Sequence, residues 1–189
     1  SLVGMQLDEF VEQRKKPAED ALIDLLIDSN LATLFVLGPT TDHLVEPLIQ
    51  HDLAILGSDG IYQPGGHVHP RVFGSAARWL GPLVRDRTLF SLEEAVHKLS
   101  GKSAARFGLE GRGVIREGAF ADLVVFDAER IDDKATYAKP AQPCTGIEDV
   151  AVNGQLVVQS GKAVAAGGTP LCGRYLRHGE STASLSTKY

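Results

Sequence analysis

The stretch SLEEAVHKLSGKSAARFGLEGRGVIREGAFADLVVFD, residues 91–127, changes character half-way, and that change decides the fold reading. Its first half is helical. Ser91 precedes the apolar pattern with Glu94 three residues on, a capping box, and Gly101 divides the helical run into two helices. Beyond Gly111 and Gly113 the pattern becomes strand-like and Val-rich, with Glu117-Gly118 as a turn. Downstream, IEDVAVNGQLVVQSGKAV (147–164) continues that character. Asn153-Gly154 between two apolar runs predicts a hairpin, because both residues tolerate positive φ. The final GESTASLSTKY (179–189) is small and polar, and reads as a tail.

Upstream of the helical half the rhythm differs. KPAEDALIDLLIDSN (16–30) places Ala21, Leu22, Leu25 and Leu26 at helical spacing, with Pro17 near its start. LATLFVLG (31–38) reads as a buried strand, TTDHLVEPLIQ (40–50) as a short helix disturbed by Pro47, and LAILG (53–57) as a second buried strand. Alternation of helix and strand is the rhythm of a parallel α/β sheet. The fold class is therefore α/β plus β, with an α/β unit over 1–110, a β-rich module over 111–178 and a tail over 179–189. Residue 1 already lies close to a helical pattern, as expected of a fragment or a single excised domain.

Composition narrows the partners. The net charge is −5, and the chain is 43% hydrophobic and 23% charged, the balance of an ordinary soluble protein with a core. No basic run is longer than RKK at 14–16, which argues against nucleic acid. No segment approaches the roughly 20 apolar residues of a membrane span, and the N-terminus lacks the apolar core of a signal peptide. Cys144 and Cys172 sit in Gly/Pro-rich surroundings outside any CxxC. One disulfide is conceivable, but reduced thiols in a cytoplasmic protein are the favoured reading.

The candidate chemistry lies in LAILGSDGIYQPGGHVHPR, residues 53–71. Asp59 stands just past an expected strand end, where α/β folds place functional residues. Ser-Asp-Gly is also good turn chemistry anywhere. The functional alternative is a metal ligand or general base held rigidly at a strand end. His67 and His69 form His-x-His, a metal arrangement when carried on a strand, but here the pair lies in a Gly-Gly-Pro loop, which weakens that reading. Arg71 offers a planar fork suited to a carboxylate, or to an ordinary surface ion pair. SGKS at 100–103 is not a phosphate loop, since the leading glycine falls on Val96. There is no Gly-x-Ser-x-Gly and no His-Glu-x-x-His.

Taken together, GSDG at 57–60, HPR with GS and a further arginine over 69–78, the stretch 91–127 and GIEDVAVNGQLVVQSGK resemble the C-terminal part of the N-acyl-D-amino-acid deacylases, or D-aminoacylases, of the amidohydrolase superfamily. The similarity runs from about residue 4 to residue 177. It implies the last strands and helices of a (β/α)8 barrel, with part of a small β-sandwich after them. The implied reaction hydrolyses N-acyl-D-amino acids, with zinc as cofactor. Asp59 corresponds to the strand-8 aspartate that approaches the metal and manages the proton of the attacking water. Arg71 corresponds to the grip on the substrate carboxylate, with His69 and Ser58 near the same pocket. The family's other metal ligands lie in roughly 300 upstream residues of a full barrel, which this sequence does not contain. Two further readings remain: a catalytically inactive oligomerisation module, or an amidohydrolase acting on a cyclic amide, which HPR fits poorly. Open sheet edges predict a homo-oligomer or pairing with the missing N-terminal part.

Overall fold

The computed structural model describes residues 2–33, 42–62, 64–164 and 172–178. Helix α1 (Leu7–Arg14) ends at Lys15 in the left-handed region, and α2 (Ala18–Asp28) starts directly after Pro17. A proline suits that start because its missing N–H would have no helical partner there. Phe10, Ala21 and Leu25 are buried between the two helices as a small core of their own. Helix α3 (Asp42–Gln50) runs through Pro47 rather than stopping at it.

The two expected strands fare differently from the helices. Residues 34–38 of the first lie outside the described residues. Leu53–Gly57, the second, forms no strand, and Leu53 is exposed. The physical reason is that a parallel strand is held by neighbours on both sides. Among the described residues the only sheet is antiparallel and formed elsewhere, so nothing pairs with 53–57. No described helix is long and apolar enough to cross a membrane.

Helix α4 (Arg71–Leu80) leads through Gly81 into a π-helical turn (Pro82–Asp86), then α5 (Leu92–Leu99) and α6 (Gly101–Arg106). Ser91 Oγ accepts the Glu94 N–H at 3.1 Å, so the expected cap is present. The Glu94 carboxylate turns instead to Lys98, at 3.1 Å. Lys98 is 1% exposed, and its ammonium donates to the carbonyls of Ile49, Gln50 and His51 at 2.8, 3.0 and 3.2 Å. Those carbonyls lie at and just past the end of α3, where a cation is favoured by the helix dipole.

The β-rich part forms one antiparallel sheet in the order β1 (Leu123–Phe126), β2 (Ile147–Val152), β3 (Gln155–Gln159), β4 (Lys162–Ala163). Asn153 and Gly154 have φ of 49° and 81°, the conformation the hairpin reading required. Only four residues of the long strand-like stretch after Gly113 pair as a strand. The rest is turns around Gly118. Cys144 and Cys172 form no disulfide.

What joins the sheet to the helices is a narrow groove along α4. Gly74, Ala77 and Gly81 are spaced i, i+3 and i+7, which puts them on one helix face. Ile131 and Asp133 lie against that face. Ile131 is fully buried with Ala77, Trp79, Leu80, Leu83, Phe90 and Ala95. A Cβ on Gly81 would collide with the Ile131 carbonyl, one on Gly146 with its backbone nitrogen, and one on Gly74 with the Asp133 carboxylate. Arg85 Nη1 donates to the Ile131 carbonyl at 2.9 Å.

This packing makes Gly81→Ala destabilising by about 2 kcal/mol, because the obstructing atom is backbone and cannot rotate away. The urea midpoint measures it, with Gly57→Ala as a near-neutral control, since a Cβ at Gly57 meets nothing. An equal response of the two variants would refute the groove.

Candidate active site

Asp59 lies beyond the irregular 53–57 segment with a φ of 47°. Aspartate tolerates that left-handed conformation better than most residues. The preceding Ser58 shapes the turn by accepting the Gly60 N–H on its hydroxyl at 3.3 Å. Twelve residues on, Arg71 opens α4 and its guanidinium reaches back. Nη2 lies 2.7 Å from Asp59 Oδ2, and Nε donates to the Asp59 carbonyl at 2.8 Å. Both donors of one guanidinium edge are thus used on one residue. The Asp59 side chain is 74% exposed and that of Arg71 36%, so this ion pair contributes at most about 1 kcal/mol to stability. Its consequence is orientation: it points a carboxylate and a guanidinium into the same solvent-facing space.

The two histidines have a different task. His69 Nδ1 accepts the Arg71 backbone N–H at 3.1 Å and so caps the first turn of α4. Its Nε2 lies 3.2 Å from the Tyr137 hydroxyl, and the two rings meet edge-on with centroids 5.1 Å apart. His67 Nε2 lies 2.5 Å from the Tyr137 carbonyl. A carbonyl only accepts, so His67 donates there. The His-x-His pair therefore holds Tyr137 at two points, its carbonyl through His67 and its hydroxyl and ring through His69. Nothing local in the sequence marks Tyr137, which is separated from His69 by 68 residues.

Among the described residues, no three His, Cys, Asp or Glu side chains come together as a metal site. Asp59, the expected ligand, has Oδ2 paired with Arg71 and its side chain largely exposed to solvent. The described residues on their own do not fit a zinc ion.

The comparisons with known proteins bear on what this arrangement belongs to. The model of the amidohydrolase family matches residues 27–158, which include Ser58, Asp59, His69, Arg71 and Tyr137. The chain belongs to the amidohydrolase family. It is 41% identical over 162 residues to a D-aminoacylase of Alcaligenes xylosoxydans xylosoxydans, covering 84% of this chain and 31% of that one. A crystal structure of D-aminoacylase, described as defining a novel subset of amidohydrolases, superposes with a TM-score of 0.73 at 33% identity. That match covers 86% of this chain and 33% of the other. N-acyl-D-glutamate deacylase of Bordetella bronchiseptica, solved with zinc and a phosphonate mimic of the tetrahedral intermediate, superposes with a TM-score of 0.69 at 32% identity. It covers 83% of this chain and 33% of its own. The chain spans about a third of the length of these relatives.

Within this amidohydrolase chain, burial first and then the charge of Arg71 hold the His69 imidazole below its ordinary pKa, opposed by Asp59. The unfolded chain therefore takes up a proton first as pH falls below about 6.5. Stability falls from there until the folded imidazole protonates too, which would also place a hydrogen on Nδ1 against the Arg71 N–H. Urea midpoints on either side of the imidazole range should show this loss toward acid pH, and His69→Gln should flatten it. An unchanged slope in that variant would mean that His69 is not the group responsible.

Proposed function

We propose that this chain is the C-terminal portion of a zinc-dependent deacylase that hydrolyses N-acyl-D-amino acids to a D-amino acid and a carboxylate. On this reading residues 1–110 are the last elements of its (β/α)8 barrel, 111–178 part of its β-sandwich and 179–189 a tail. The zinc ligands other than Asp59 come from the remainder of the barrel, with which this chain pairs. The observation that carries the proposal is the Asp59–Arg71 pair, which sits inside the family match. The relatives named above act on N-acyl-D-amino acids, which supports a linear amide over a cyclic one.

Each residue of the pair has a distinct task. Arg71 presents a rigid fork, and a substrate α-carboxylate is the partner that such a fork binds with two charge-assisted hydrogen bonds. Asp59 now occupies part of that fork. An arriving substrate carboxylate would replace it on Nη2, which releases the Asp59 carboxylate toward the amide while its backbone carbonyl still orients Nε. Freed, Asp59 takes a proton from the attacking water and returns it to the leaving amine. Ser58 fixes the turn that aims Asp59, and His69 fixes the first turn that aims Arg71. Zinc, when held by the complete protein, supplies activation of the water.

An assay of the complete protein with N-acetyl-D- and N-acetyl-L-amino acids tests this, with turnover of the D series expected. Asp59→Ala should lower kcat by about 10³-fold, within the range seen for loss of a positioned acid–base group. Arg71→Ala should raise KM by roughly 10–100-fold, the loss of one or two charge-assisted hydrogen bonds. Turnover without preference for the D enantiomer, or an active Asp59→Ala, would overturn the proposal.

A further inference from the structure

We propose that Tyr137, which lies in the chain between β1 and β2, is a positioning residue for the carboxylate clamp, acting on Arg71 through His69. This deepens the deacylase reading and rests on it for the role of Arg71. The placement of Tyr137 itself rests only on the geometry.

The hydrogen-bond chain has a single consistent proton assignment. The Arg71 backbone N–H can only donate, so His69 Nδ1, 3.1 Å away, carries a lone pair. A neutral imidazole then bears its hydrogen on Nε2. That Nε2–H points at the Tyr137 hydroxyl, 3.2 Å away, which accepts it. The Arg71 N–H sets this tautomer, and the Tyr137 hydroxyl supports it by accepting the Nε2 hydrogen, which leaves Nδ1 free to cap α4 at Arg71. The cap sets the backbone from which the guanidinium extends 2.7 Å to Asp59.

Tyr137 is itself fixed from two directions. His67 donates to its carbonyl at 2.5 Å, and the His69 ring meets its ring edge-on. Elsewhere in the same segment, the Asp133 carboxylate accepts the Ala135 N–H at 2.8 Å and packs over Gly74, and Ile131 is buried against α4. The segment 131–137 therefore tracks α4 from its C-terminal end back to its start. It brings a side chain from between two strands of the sheet to the residue that would grip the substrate. The charged groups facing His69 are Arg71 and Asp59.

Tyr137→Phe tests this, because it keeps the ring and its edge-on contact and removes only the hydroxyl. In the ¹⁵N spectrum of the His69 ring, the native protein should show the Nε2–H tautomer alone, and Tyr137→Phe a mixture of both. His67→Ala, which frees the Tyr137 carbonyl instead, should shift the tautomer ratio in the same direction. In the complete protein, Tyr137→Phe should raise KM for N-acetyl-D-amino acids several-fold with kcat unchanged. The neutral amides of the same compounds, which lack the carboxylate, should show no change. A single unaltered tautomer in Tyr137→Phe would overturn the proposal. So would an altered tautomer with an unmoved KM, or a fall in kcat alone. The ring-nitrogen measurement needs no substrate, so it decides the placement of Tyr137 even if the D-deacylase assay fails.

Discussion

Close approach of the Ile131 backbone to α4 is the constraint on which the rest depends. It is possible only because residues 81 and 146 lack side chains, and it is secured by Arg85 donating to the Ile131 carbonyl. Once Ile131 is seated, the next six residues have little freedom. Asp133 falls over Gly74 and Tyr137 reaches the two histidines before α4. A groove of small residues thus couples the antiparallel sheet to the segment carrying Arg71 and Asp59. Interiors pack too densely for that coupling to survive an added methyl group in the groove.

Legibility in the sequence tracked the range of the interactions. The helix at 18–28, the Ser91 cap, the break at Gly101 and the Asn153-Gly154 hairpin are fixed by residues within a few positions of one another, and all stand where the pattern placed them. Leu53–Gly57 carries the composition of a buried strand, yet forms none, because a strand exists only through neighbours that these residues do not provide. The glycine face of α4 and the position of Tyr137 were invisible for a related reason. Gly74, Gly81 and Gly146 acquire meaning only when Ile131 and Asp133 arrive from elsewhere in the chain.

The site shows the same division. Asp59, Arg71, His69 and Ser58 were legible as residue types within fourteen consecutive positions, 58 to 71, and the structure brings Asp59, Arg71 and His69 into one hydrogen-bonded group, with Ser58 in the turn beside them. What pattern alone did not disclose is that the conspicuous histidines are occupied by Tyr137. Three of their four ring nitrogens are engaged with the backbone and with that side chain.

The central claim is that Asp59 and Arg71 form the proton-handling and carboxylate-binding half of an amidohydrolase site whose metal-holding half lies outside these residues. Calorimetric titration of the 189-residue chain with zinc tests it most directly. The expected result is no one-to-one site, only weak binding that Asp59→Ala leaves unaltered. A tight stoichiometric site lost in Asp59→Ala would contradict the claim.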